Sequence, residues 1–186
     1  MKEAALKGDK KLVDFFLSKG ASNLDGGLQE AAKGGHFDLI NYFIKKGAKG
    51  MDGGLEGAAE GGHQELVNFF INQGAKNWYL GIMGAAKGGH KNLVDFFISK
   101  GVEDFNLMAL TASEGGHKKL VDFFISKGFY NWNSGMAYAA QGGHKELVEF
   151  FISKGANDWK HASVMAKIGG YKELMQFFQD KLDGKI

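Results

Sequence analysis

The pair Gly-His recurs at a fixed interval of 27 residues, at Gly35-His36, Gly62-His63, Gly89-His90, Gly116-His117 and Gly143-His144, with Gly8-Asp9 and Gly170-Tyr171 in the same phase. No insertion interrupts the beat, so seven copies of one unit fill the chain. A period of about twenty to fifty residues is the signature of a stacked array in which each copy buries its apolar face only against its neighbours. The expectation is therefore a single domain over residues 1–186, with a partial first repeat at 1–21, five full repeats over 22–156 and a capping repeat at 157–186.

Aligned on the beat, one copy reads YNWNSGMAYAAQGGHKELVEFFISKGA from Tyr130 to Ala156. Its second position is Asn23, Gly50, Asn77, Asp104, Asn131 or Asp158, residue types that open a helix by offering a side-chain oxygen or a permissive backbone. Small or apolar residues follow at helical spacing, as in Trp132, Met136, Ala139 and Ala140. Two glycines end this first helix, the first suited to a left-handed cap and the second to a tight reversal. A second helix begins near the His. It carries Leu147, Val148, Phe150, Phe151 and Ile152 against Lys145, Glu146, Glu149 and Ser153, a wide apolar arc for a helix with several neighbours. The fold class is thus all-α, a helix-turn-helix repeat array with short loops.

The pattern AAxGGHxxLVxFFxxxGA resembles the helical part of the ankyrin repeat, in which Ala-Ala, Gly-His, a Val- and Leu-rich second helix and a closing Gly-Ala recur in that order. The family's usual unit has about 33 residues. Here the segment with the Gly-x-Thr-Pro-Leu-His signature is replaced by a shorter stretch such as NDWNSGM, and the chain has no Pro. The resemblance implies a non-catalytic protein-binding module whose first helices line a concave groove, without the projecting β-hairpins of the longer repeat.

Composition removes several function classes. There is no Cys, hence no disulfide, thiolate nucleophile or zinc-thiolate site. The net charge is +2, and all 23 basic residues are Lys, which lacks the bidentate fork that reads phosphate and guanine edges. That argues against nucleic acid as the partner. No apolar run approaches the length of about 20 residues that spans a bilayer, and the start MKEAALKGDKK has no apolar signal core. A soluble, cytoplasmic chain with no membrane attachment is expected.

The five His of the beat come one per copy, about one helix-pair spacing of roughly 10 Å apart, whereas zinc ligands converge within about 2.1 Å of one ion. The row is read as structural, each imidazole bonding backbone near the start of its second helix, and no metal or cofactor is expected. His161 lies outside the row and reads as a surface residue. Asp52 and Glu56 share a helix face, yet nothing beside them offers a nucleophile or a phosphate cradle, so no catalytic residue is assigned.

Where the copies disagree is more informative. Repeat positions 4, 5, 8, 9 and 12 vary most in kind and fall on the first helix opposite its Ala stripe. The candidate partner-binding residues there are Asp25, Gln29, Glu30, Asp52, Glu56 and Glu60, then Tyr79, Leu80 and Met83, then Leu107, Leu110, Tyr138 and Gln141. An acidic beginning and an apolar middle imply a protein partner with a basic end and an apolar centre. Two alternatives stand beside this: a small-molecule or nucleotide pocket near Tyr79, Leu107 and Tyr138, and a homo-oligomer that uses the apolar middle.

Overall fold

The computed structural model describes residues 1–185, and every regular element among them is helical. The residues group into two compact units, Met1–Val102 and a second from Glu103 onward, so the boundary coincides with the start of a repeat. The first compact unit contains α1 (Lys2–Leu6), α2 (Lys10–Ser18), α3 (Leu24–Lys33), α4 (Phe37–Lys45), α5 (Met51–Glu60), α6 (Gln64–Asn72), α7 (Trp78–Gly88) and α8 (Lys91–Ser99). The second contains α9 (Phe105–Glu114), α10 (Lys118–Ser126), α11 (Trp132–Gly142), α12 (Lys145–Ser153), α13 (Trp159–Gly169) and α14 (Lys172–Leu182). Each repeat is one pair of consecutive helices.

Local chemistry sets the helix starts. The side chains of Asn23, Asn77, Asp104, Asn131 and Asp158 accept from the backbone N–H three residues on, at 2.8 to 3.3 Å, which satisfies a donor that the helix itself leaves unpaired. Gly50 opens α5 without a side-chain cap.

The double glycine works in the opposite order from the one read in the sequence. Gly34 keeps a right-handed helical backbone with φ −76°, and Gly35 takes the left-handed conformation with φ 77°. The first glycine is needed for space. A Cβ on Gly34 would stand 2.3 Å from the Leu6 carbonyl oxygen of the preceding repeat, and one on Gly142 would stand 2.0 Å from that of Glu114.

Fully buried rings make a ladder in the core of each unit, Phe43, Phe70 and Phe97 in the first and Phe124, Phe151 and Phe178 in the second. Burial of each contributes about 1.5–3 kcal/mol. Trp78, Phe105, Trp132 and Trp159 are half-buried and pack on the ladder with ring centroids 6.4 to 6.5 Å away, so one side of each ring is taken up by the core. Four ladder rings, Phe43, Phe70, Phe97 and Phe151, press on a glycine of their own first helix: a Cβ on Gly54 would meet Phe70 at 2.2 Å, and one on Gly81 would meet Phe97 at 2.4 Å. One repeat solves the same packing differently. Met108 and Ala109 are both buried where the other copies have a small residue followed by a larger one, as in Gly81-Ile82.

Successive first helices pack closely on one another, α1 on α3, α3 on α5 and α5 on α7, then α9 on α11 and α11 on α13. The buried Ala pairs, with Gly57 and Gly84, allow that approach, because a Cβ on Gly57 would stand 2.2 Å from the Gln29 carbonyl oxygen. Second helices stand farther apart and leave grooves between them.

Candidate functional site

Four repeats are tied to their predecessors through backbone carbonyls. The imidazole Nε2 of His36 lies 2.9 Å from the Leu6 carbonyl oxygen, that of His63 3.1 Å from Lys33, that of His90 3.0 Å from Glu60 and that of His144 2.8 Å from Glu114. A carbonyl only accepts, so Nε2 carries the proton in each. The sequence reading placed these rings against their own helix. The structure corrects this: they reach 30 residues back, into the neighbouring repeat. Asp9 occupies the same slot without such a bond and caps α2 through the Leu12 N–H at 3.0 Å. Among the described residues no three His, Asp or Glu side chains converge as a metal site would.

Four candidate acidic residues of the first compact unit, Asp25, Asp52, Glu56 and Glu60, are engaged within the molecule. Asp25 accepts the backbone N–H groups of Lys49 at 2.6 Å and Gly50 at 2.9 Å. Asp52 does the same for Lys76 at 2.7 Å and Asn77 at 2.9 Å. In the second unit Asn133 repeats the clamp on Asn157 and Asp158, so this repeat position has a joining role. Glu60 is paired with Lys33 at 2.7 Å, and Glu56 accepts from Gln29 Nε2 at 3.0 Å. Burial pushes the Glu56 carboxyl above the ordinary carboxylate range, and the nearby Glu60 charge adds to the rise. Glu30 is half-buried on α3.

The apolar candidates divide by exposure. Tyr79, in the first turn of α7, is 51% exposed, while Leu80 and Met83 beside it are half-buried. In the second unit Leu107 and Leu110 on α9, and Tyr138 and Gln141 on α11, are half-buried. Repeat position 9, counted among the variable ones, is constrained by packing at Gly57, Gly84 and Thr111. The Thr111 hydroxyl is buried and donates to the Met108 carbonyl at 3.0 Å.

Several exposed groups escaped the sequence reading. Tyr130 is 76% exposed and Phe37 47% exposed. Both were visible as oddities, since the position of Tyr130 otherwise holds Ser22, Lys49, Lys76, Glu103 and Asn157, and that of Phe37 holds Lys or Gln. Phe37 stacks edge-on against Phe69 of the next repeat at 5.2 Å, as the Lys118 ammonium sits 3.8 Å above Phe150. The small-molecule alternative near Tyr79, Leu107 and Tyr138 draws on both compact units, whereas the grooves seen here lie between second helices. One is walled by Phe37, Gln64 and Phe69, another by Lys145, Val148, Tyr171 and Phe177.

The sequence matches no family model, and no curated protein matches it. In fold the chain is similar to the crystal structure of the human ASB11 ankyrin repeat domain, with a TM-score of 0.46 and 22% identity over 84% of this chain and 83% of that one. Among the described residues every regular element is a helix, and the helices recur as a repeat array. Among the described residues no helix is long and apolar enough to cross a membrane.

Proposed function

We propose that this chain is a non-catalytic protein-binding repeat array that engages a partner through first-helix residues differing from copy to copy. The observation that carries this reading is Tyr79. Among the large side chains of α7 it stands exposed, next to half-buried Leu80 and Met83, while Trp78 packs on the core ladder. An aromatic side chain presented beside apolar neighbours on a rigid helix is the composition of an interface hot spot. Leu107, Leu110, Tyr138 and Gln141 extend the same repeat positions into the second compact unit.

The acidic residues have a secondary part in this reading. Glu60 is already neutralised by Lys33, and the carboxylates of Asp25 and Asp52 hold backbone amides, so Glu30 is the acidic group best placed to select a basic end of the partner. The absence of Cys fits work in the reducing cytoplasm.

Affinity capture from the native cell, compared between wild type and a Tyr79→Ala, Leu110→Asp, Tyr138→Ala variant, tests the reading. The wild type is expected to recover partners that the variant loses while keeping its helical circular dichroism and cooperative melt. Equal recovery by both proteins rules out the first-helix face.

A further inference from the structure

We infer that the second-helix side of the second and third repeats is a further docking surface, whose occupant is a basic amphipathic helix of another protein. These two repeats abandon an outward pattern that the other second helices share. In α2, α8 and α10 the first residue is a Lys paired with an Asp four residues on, Lys10 with Asp14, Lys91 with Asp95 and Lys118 with Asp122. The ammonium also covers a ring of the next repeat, with Lys10 at 4.3 Å from the centre of Tyr42 and Lys118 at 3.8 Å from that of Phe150. In α4 and α6 both members of the pair are replaced together, by Phe37 and Asn41 and by Gln64 and Asn68. A third cation goes with them, since Gln73 stands where Lys19, Lys46 and Lys100 follow their helices.

What remains is an uncharged aromatic ridge between two grooves. Phe37 is 47% exposed and stacks edge-on against Phe69 at 5.2 Å. On one side it lines a groove of about 490 Å³ with Gln64, Leu66 and Phe69, and on the other a groove of about 390 Å³ with Lys10 and Leu39. Each groove has a helix along both sides, α4 and α6 for the first, α2 and α4 for the second, all within the first compact unit. Exposed apolar surface of this kind marks an interaction site.

Its charge selects the occupant. Asp38 and Glu65 directly follow Phe37 and Gln64, line the two grooves and are exposed, and neither has an ion-pair partner among the described residues. Glu65 is the one charged side chain of α6, and Lys10, the cation of the smaller groove, is held by Asp14. An incoming apolar stripe flanked by Lys or Arg complements that arrangement. The two grooves lie one repeat apart, roughly 10 Å, and side chains seven residues apart on a helix are separated by about 10 Å. A single helix therefore reaches both. This surface is on the second helices and shares no residue with the first-helix face of the proposed function.

The test uses the full chain and two fluorescent helical peptides, one with Leu residues seven apart flanked by Lys and the other with Glu in place of Lys, read by anisotropy. The Lys peptide is expected to bind and the Glu peptide to fail. Phe37→Gln installs the residue type that the next repeat carries at the same position and leaves the charge unchanged, and it should weaken the Lys peptide at least about tenfold. Glu65→Lys should shift preference toward the Glu peptide. Both side chains are exposed, and circular dichroism verifies that the variants fold. No binding of the Lys peptide, equal binding of the two, or binding unchanged in either variant overturns the inference. Loss in the Tyr79→Ala, Leu110→Asp, Tyr138→Ala protein and not with Phe37→Gln assigns the peptide to the first-helix face, which overturns this inference and leaves the proposed function standing. Self-association that Phe37→Gln abolishes makes a second copy the occupant, and sedimentation with phosphatidylcholine vesicles that it abolishes makes a bilayer the occupant. Either result overturns the inference too.

Discussion

Two adjacent glycines in α5 show how much a single position depends on its surroundings. A Cβ on Gly54 would lie 2.2 Å from the Phe70 ring, whereas the nearest atom to one on Gly53 is the Gln29 side-chain oxygen at 3.9 Å. Both have helical backbone, so only space distinguishes them. Gly53→Ala is expected to stabilise the protein by about 0.4–1 kcal/mol through lost unfolded-state entropy. Gly54→Ala is expected to destabilise it by about 1–3 kcal/mol through overpacking. Urea unfolding of the two variants measures both, and a shift in the same direction would contradict the packing described. The sequence marks both glycines equally. Which one is obligatory depends on how far the Phe ring reaches across the helix pair, and helical spacing alone does not encode that reach. The exchange of Met108 with Ala109 was illegible for the same reason.

At the scale of the element, the helix starts were legible and the joints between helices were not. An N-cap is a bond over three residues, so Asn77 or Asp104 announces it in the sequence. The bonds made by His63 and Asp52 span 30 and about 25 residues, and their partners are backbone groups that any residue type supplies. For that reason the sequence did not disclose that Asp25 and Asp52, at a position that varies among copies, also hold the next repeat. Glu56 joins α3 to α5 with a cost attached. Burial and the Glu60 charge raise its carboxyl above the ordinary range, so the charged form is disfavoured in the folded state. This penalty is complete only where pH lies above the raised folded value. It fades as pH falls through the raised folded value and is gone below the unfolded value of about 4.3. Glu56→Gln keeps an oxygen to accept from Gln29 and removes the charge. It is expected to raise the melting temperature at pH 7, with the gain shrinking toward zero near pH 4. A constant gain across that range would assign the effect to packing instead of ionisation.

For the whole molecule, the 27-residue period was enough to read the fold class, because a gapless repeat forces each copy to pack like the next. The period alone does not say whether such a series stacks onto another copy of itself. A repeat face is by construction complementary to the opposite face of its neighbour, and such heterologous contacts grow into open filaments unless something blocks them. Lys7 supplies a side chain where five of the following turns have glycine against a carbonyl, and Asp9 stands where His36 donates to such a carbonyl in the next repeat. Asp9 also caps its own helix at 3.0 Å, so its carboxylate is not available for a joint. Removing both blocks while leaving the core untouched should restore a stackable face. The Lys7→Gly, Asp9→His variant is expected to show a scattering mass that rises with protein concentration, while the wild type shows none. Ile168→Glu added to that variant should return it to constant mass, because it places charge on the exposed stripe of α13 that the restored face would cover. If the double variant gains no mass, the close approach at the turn glycines is not what limits stacking.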